Sequence, residues 1–223
     1  MTMTIREPGS AFTHLAGIVL TMAAAIPLLI AAYLTGSKDT LLGMSGFVLS
    51  MILLYTASTV YHAVSVGERA LRVFRKLDHM MIFVLIAGSY MPICLQVLRG
   101  LKGYLLLACI WGLALIGMIL KACWITCPNW LSSVIYILMG WMCAFVFKDL
   151  HGRMSPGAFG WLLAGGIVYT IGGVIYAIAL PLFPPKKYFG NHELFHLFVL
   201  GGSFCHFVSM FLICQDTGTV LLS

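Results

Sequence analysis

The chain has 223 residues, of which 61% are hydrophobic and only 9% charged, and its mean hydropathy is +1.01. A soluble domain cannot bury this much apolar surface, so the composition excludes a soluble globular protein and indicates a polytopic membrane protein. The formal net charge of +6 comes mostly from short connections between apolar runs. It favours contact with the anionic headgroups of membrane lipids over binding of nucleic acid.

Seven apolar runs of about 20 residues predict an all-α bundle of seven transmembrane helices. The connections are short, so we expect residues 1–223 to form a single membrane domain. The predicted spans are 12–34, 41–63, 80–98, 104–120, 131–147, 159–180 and 194–214.

The distribution of lysine and arginine predicts the orientation of the bundle. One set of connections, together with the N-terminal tail, carries Arg6, Arg69, Arg72, Arg75, Lys76, Lys121, Lys186 and Lys187. The alternate connections carry Lys38, Arg99, Lys102, Lys148 and Arg153. Because basic loops favour the cytoplasm, we expect the N-terminus inside and the C-terminus outside.

Two histidines lie at ends of the first two predicted spans. His14 opens the first span, and His62 ends the second, four residues after Ser58 on the same helix face. A lone histidine at a membrane boundary, such as His14, is commonly a hydrogen-bonded or interfacial residue, and His62 could be an interfacial histidine bonded to a backbone carbonyl. The alternatives are that His62 is a metal ligand and that His14 has a secondary role at the same site.

Asp78 begins the third predicted span, directly after a basic stretch. It could be a helix N-cap, or pair with Arg75 or Lys76; the functional alternative is an acceptor for a metal-bound water. Later in this span Pro92 predicts a kink, because proline removes a helical hydrogen bond.

The fourth and fifth spans contain little polar chemistry. The pair Cys123 and Cys127 has a spacing that could suit a metal, but no histidine or further cysteine lies near it in sequence. We interpret the seven cysteines as small apolar residues and predict no disulfide framework.

The seventh span opens with His192 and His196, which lie one helical turn apart on the same face. With Glu193 they match H-E-x-x-H, the motif of zinc proteases. No distant Asp-Gly element accompanies it, so Glu193 could equally be an acid favoured by the dipole of the first helical turn. His206, about 15 Å further along the helix, is either a packed polar residue or a proton-relay candidate.

Alternating span directions bring these groups to one membrane face, whichever way the protein is oriented. His62, Asp78, His192 and His196 all fall there, with Ser58 one turn deeper. Three neutral imidazoles and a water form the open tetrahedral set of a catalytic zinc site. Asp78 could hold that water or act as its base, and Ser58 could steady the water or a substrate carbonyl.

Three motifs together resemble the hemolysin III family. They are Ser58-Thr59-Val60-Tyr61-His62, Lys76-Leu77-Asp78, and His192-x-x-x-His196 followed by Gly201-Gly202-Ser203-Phe204-Cys205-His206-Phe207. That family belongs with the progestin and adipoQ receptors, which include the adiponectin receptors, and is more distantly similar to alkaline ceramidases.

The resemblance implies a seven-helix fold with a cytoplasmic N-terminus, and a Zn²⁺ ion near the cytoplasmic face. The ligands would be His62, His192 and His196, with Asp78 and Ser58 acting through the zinc-bound water. The short N-terminal tail does not favour a hormone-receptor role, and the compact loops are similar to those of bacterial members.

The leading hypothesis is a zinc-dependent hydrolase of a lipid amide or ester, located in the bacterial inner membrane and acting in membrane lipid homeostasis. The alternative is a non-enzymatic membrane sensor or regulator in which zinc is structural. A cytolysin, an ion transporter and an intramembrane protease are less favoured. The substrate and the oligomeric state are not predicted.

Overall fold

The computed structural model describes residues 5–178 and 189–221, with side chains described as far as Thr217. Within these ranges the chain is helical, and seven of its helical segments are long and apolar enough to cross a membrane. The protein is therefore an all-α, multi-pass membrane protein, which confirms the predicted fold class. That residues 1–223 form one domain, and that the N-terminus is cytoplasmic, remain predictions.

The spans are built from eight α-helices and two short segments of different pitch. The first four helices are α1 (Pro8–Leu34), α2 (Lys38–Ala63), α3 (Glu68–Pro92) and α4 (Gly100–Cys123), and α3 continues as a π-helix over Ile93–Leu98. The fifth span comprises α5 (Asn129–Gly140), a 3₁₀ turn (Trp141–Val146) and α6 (Phe147–Arg153). The last two spans are α7 (Pro156–Ile178) and α8 (Asn191–Leu221).

The first two helices are joined by a tight connection with clear chemical causes. Gly36 has φ +67°, a left-handed conformation that glycine adopts without steric cost. Ser37 then caps α2, because its hydroxyl accepts a hydrogen bond of 3.2 Å from the Thr40 N–H. A connection this short makes α1 and α2 antiparallel neighbours.

Several helices begin earlier than the apolar runs suggest, and α3 is the most informative case. It begins at Glu68, so the basic stretch is helical and Asp78 lies about 15 Å along the helix from its start. The N-cap position belongs to Gly67, so the N-cap interpretation of Asp78 is wrong. Lys76 instead donates to the Ala122 carbonyl at 2.5 Å, and the ion-pair contact that the structure describes for Asp78 is His79 Nδ1 at 3.5 Å.

The α-helix α3 ends at Pro92, the position where the sequence predicted a kink. The chain continues as a buried π-helix, whose last carbonyls, those of Val97 and Leu98, accept hydrogen bonds of 3.3 and 2.6 Å from the Arg153 guanidinium. Within the π-helix, Gln96 accepts a hydrogen bond from Thr40 at 2.5 Å. This irregular backbone is buried inside protein, where its polar groups find partners.

Helices α1, α2 and α8 pack against one another at the end of the bundle that holds the histidines. Gly17 permits this approach, because a Cβ there would lie 2.8 Å from Leu200 and 3.1 Å from the Tyr55 ring. The predicted end of the sixth span at residue 180, the prolines at 181, 184 and 185, and the basic residues Lys186 and Lys187 lie outside the described residues.

Candidate metal centre

Three histidines converge where the end of α2 meets the start of α8. One ring nitrogen from each of His62, His192 and His196 can be chosen such that all three lie within 4.8 Å of one another. The Nε2 atoms of His62 and His192 are 3.2 Å apart. His62 and His196 are buried, with 1% and 2% of their surface exposed, and His192 is half-buried.

The separation of the His62 and His192 nitrogens is compatible with a shared metal ion such as zinc. Zn–N bonds of about 2.0–2.1 Å place two ligand nitrogens roughly 3.3 Å apart in a tetrahedral site, close to the observed separation. Without an ion, a 3.2 Å contact between two imidazoles is a hydrogen bond from one ring to the other. Three imidazoles suit zinc and also other divalent transition metals, so the donor set by itself does not select the ion.

Asp78 and Ser58 lie beside the histidines and not among them. Asp78, on α3, is buried and lines the same cavity as His192 and His196. Ser58, on α2, is fully buried close to the Asp78 carboxylate, and its hydroxyl makes no hydrogen bond of ordinary geometry in the part of the chain described. Because leaving a buried polar group unpaired costs about 1–3 kcal/mol, we expect a water or substrate atom to contact this hydroxyl.

His14 lies against the centre and is not interfacial. Its ring stacks on that of His196 with centroids 3.7 Å apart and planes 5° apart. It is 3% exposed, and neither ring nitrogen has a hydrogen-bond partner among the described residues. The interpretation of His14 as a hydrogen-bonded or interfacial residue is therefore wrong, and the secondary role at the site stays open.

Both carboxylate oxygens of Glu193 make hydrogen bonds to groups outside the histidine cluster. One of its oxygens accepts a hydrogen bond of 2.5 Å from the Ser10 hydroxyl, and the other accepts one of 2.8 Å from the Gly190 N–H. The side chain thus caps the start of α8 and ties it to α1. A zinc protease needs this glutamate beside the metal as a base, so the contacts disfavour that interpretation.

Glu7 and Thr13 also contact the centre, and the sequence reasoning missed both. Glu7 precedes α1 and its carboxylate accepts a hydrogen bond from His62 Nδ1. Thr13, one residue before His14, contacts His196 Nδ1 at 3.1 Å. A signal in the sequence could have identified them: polar residues recur at every third position at the start of an otherwise apolar span, namely Glu7, Ser10 and Thr13.

The cavity next to the histidines has a volume of about 150 Å³ and walls that are mostly apolar. Its polar end includes Asp78, His192 and His196, and its walls run along α3 as far as Ile93. Fifteen residues of helix correspond to about 22 Å, so the cavity reaches deep into the bundle. His206 lines its deeper part, packed edge-on against Tyr169, with Nδ1 unpartnered among the residues described.

The cysteine pair near the fourth connection forms no metal cluster with other described residues. Cys123 is exposed, and Cys127 is buried, with its sulfur 3.0 Å from the Lys121 ammonium and 3.2 Å from the Ser132 hydroxyl. All seven cysteines, each of which lies in the described part of the chain, are free. Lys121 itself is buried, although the sequence places it among the basic residues of the connections.

These features define a class: a multi-pass membrane protein in which three histidines could hold a metal ion at one end of an apolar cavity. The profile described as Haemolysin-III related matches residues 3–207. The chain belongs to this family, as the sequence motifs indicated.

Two bacterial relatives match almost end to end. The "Hemolysin-3 homolog" of Bacillus subtilis (strain 168) is 35% identical over 212 residues, which cover 95% of this chain and 96% of the relative. The "Hemolysin-3" of Bacillus cereus is 37% identical over 204 residues, covering 91% and 90%. The "Adiponectin receptor protein" of Drosophila melanogaster is 25% identical over 222 residues, covering 90% of this chain and 49% of the receptor.

Proposed function

We propose that this protein is a zinc-dependent hydrolase that cleaves an amide or ester bond of a membrane lipid, in the inner membrane of a bacterium, and serves membrane lipid homeostasis. One juxtaposition carries the proposal: three histidines and a buried carboxylate stand at the polar end of a deep apolar cavity. A polar reacting group and a hydrocarbon chain would each find a matching environment there.

The residues of the proposed site have separate roles. His62, His192 and His196 would hold Zn²⁺, which when bound polarises a substrate carbonyl as a Lewis acid and activates water for attack. Asp78 accepts the proton released by the attacking water and returns it to the leaving amine or alcohol. The buried hydroxyl of Ser58, close to Asp78, donates a hydrogen bond that orients the water or the carbonyl.

The apolar part of the cavity would bind the hydrocarbon chain. Each methylene that moves from water into such a wall contributes about 0.8 kcal/mol. The walls supplied by α3, α5, α7 and α8 also exclude bulk water, which strengthens electrostatic interactions at the polar end. Membrane lipids are accordingly the partners that we expect for this protein.

Elemental analysis of detergent-purified protein is the first test. We expect about one zinc per chain in the wild type and its loss in His62→Ala and in the double variant His192→Ala/His196→Ala. His151→Ala is the matched control, because this exposed histidine on α6 is not part of the cluster. Zinc that persists in both cluster variants would contradict the assignment of the ligands.

A lipid panel then tests the reaction. Zinc-loaded wild type should release fatty acid from at least one lipid amide or ester, and Asp78→Asn should retain zinc but lose the activity. Asp39→Asn, at the exposed start of α2, is the control for removing a carboxylate. If no lipid is cleaved by protein that contains zinc, the hydrolase proposal is refuted.

The second candidate is a membrane sensor or regulator in which zinc is structural. It is favoured by one observation: the histidine cluster joins the end of α2 to the start of α8, helices that make few other contacts with each other. A metal shared by these helices would stabilise the bundle. This candidate predicts that Asp78→Asn leaves cellular function intact and that His196→Ala lowers the unfolding temperature.

Cytolysis is suggested only by the printed name of the Bacillus cereus relative. A multi-pass membrane protein is a poor candidate for a soluble toxin, so we favour cytolysis least.

A further inference from the structure

The start of α1 and the two residues before it lie against both helices that carry the candidate metal ligands. On one side, the backbone N–H of Glu7 donates to the His62 carbonyl at 3.0 Å, and the Arg6 guanidinium donates to the Tyr61 carbonyl at 2.9 Å. On the other side, Ser10 donates to Glu193 at 2.5 Å. The segment thus connects the end of α2 with the start of α8.

Glu7 determines which nitrogen of His62 is free. A carboxylate only accepts hydrogen bonds, so the His62 Nδ1 that contacts it carries the hydrogen. In a neutral imidazole the lone pair then lies on Nε2. This is the atom that faces His192 at 3.2 Å, and therefore the atom that could bind a metal.

Thr13 determines in the same way which nitrogen of His196 is free. The Thr13 hydroxyl has one hydrogen, which it donates to the Ser10 carbonyl at 2.8 Å. Its oxygen can therefore only accept from His196 Nδ1, 3.1 Å away, so that the hydrogen lies on Nδ1 and the lone pair on Nε2.

Glu7 does not itself belong to the ligand set. It contacts the nitrogen of His62 on the opposite side of the ring from His192, and it is absent from the group of mutually close ligand atoms. Its side chain is 44% exposed, so solvent screens any charge effect on the centre. Its contribution is the hydrogen bond that orients the ring.

We propose that Glu7 and Thr13 are positioning residues of the metal centre, which hold His62 and His196 in the one tautomer that presents Nε2 to the ion. The inference rests on the proposed zinc site, although not on catalysis. Outer partners of this kind fix ring orientation and raise ligand basicity, and their loss typically lowers metal affinity by about 10–100-fold.

The test measures zinc dissociation constants by competition with a chelator. Glu7→Ala and Thr13→Val should each bind zinc about 10–100-fold more weakly than wild type. The conservative variants Glu7→Gln and Thr13→Ser, which keep an acceptor oxygen, should recover most of the affinity. Glu68→Gln, an exposed acid at the start of α3 and at the same end of the bundle, is the control.

A general loss of folding would give a different pattern. The unfolding temperature of each metal-free variant should match that of metal-free wild type, and only the increase caused by zinc should shrink. The absorption spectrum of Co²⁺-loaded Thr13→Val should also shift, because His196 is no longer oriented. Glu7→Ala and Thr13→Val proteins that bind zinc within twofold of wild type would overturn the inference.

Nitrogen-15 NMR of the histidine rings makes the test independent of the metal. In metal-free wild type, His62 and His196 should carry hydrogen on Nδ1, and Glu7→Ala and Thr13→Val should redistribute it. A wild type that binds no zinc refutes the proposed function. Wild-type rings with hydrogen on Nε2 instead refute the positioning role.

Discussion

Gly166 offers a way to shorten the proposed lipid-binding cavity without disturbing the metal centre. It lies on the cavity wall in α7, and a Cβ there would meet only Trp141, at 3.9 Å. Tyr176 lines the polar end of the same cavity, ten residues further along the helix. A leucine introduced by Gly166→Leu would therefore obstruct the cavity about 15 Å from that end.

The expected loss of binding free energy follows from the length of hydrocarbon chain that no longer fits in the cavity. If the new side chain displaces two to four methylenes of a bound chain, the loss is roughly 1.6–3.2 kcal/mol at about 0.8 kcal/mol each. This corresponds to roughly 15–200-fold weaker binding for chains that extend past the obstruction. Chains that end before it should bind as they do to wild type.

The assay is a series of fluorescent fatty acids of increasing length, titrated into detergent-solubilised protein, so that the result does not depend on catalysis. Gly112→Leu is the matched control, because this exposed glycine on α4 also has open space around it and lies outside the cavity lining. A length profile identical to that of wild type, or an equal change in the control, would refute the assignment of the cavity.

Three further predictions follow from the site and its surroundings. Asp78→Asn should lower kcat for lipid hydrolysis by about 10²–10⁴-fold while zinc content stays constant, as measured in parallel on one preparation. Chelation of the zinc should lower the unfolding temperature of wild type and leave that of His196→Ala unchanged, because the variant has no ion to lose. Burial raises the pKa of the Cys127 thiol, but hydrogen bonds with Ser132 and Lys121 outweigh it and hold the pKa below its ordinary value. Alkylation of Cys127 by a small reagent should therefore become rapid at a lower pH in wild type than in Lys121→Met, with Cys123 in the same sample as the unchanged control.

Some sequence interpretations failed because they treated residues one at a time. Asp78 was considered as an N-cap, since the apolar run begins there, but α3 begins at Glu68 because an amphipathic basic turn can continue a helix beyond the hydrocarbon region. The H-E-x-x-H match had raised only a less favoured alternative, an intramembrane protease, and the contact of one Glu193 oxygen with Ser10 of a distant helix is against it.

The sequence alone determined the fold class and the location of the histidine cluster. A long apolar run crosses a bilayer as a helix, because every backbone polar group must be hydrogen-bonded there and a helix pairs these groups within the segment. Consecutive spans must alternate in direction, so His62, Asp78 and the pair at 192 and 196 had to share a membrane face. The four-residue spacing within α8 placed its two histidines on one side.

Only the tertiary structure decided what surrounds that cluster. The histidines are contacted by Glu7, Thr13 and His14, and these contacts depend on how closely α1 approaches α2 and α8. Small residues such as Gly17 allow this close approach, but hydropathy does not predict it. The cavity likewise exists only between packed helices. Helix formation and span direction are local or bilayer-imposed properties, whereas side-chain contacts between spans depend on the rotation and separation of each helix, and packing alone sets these.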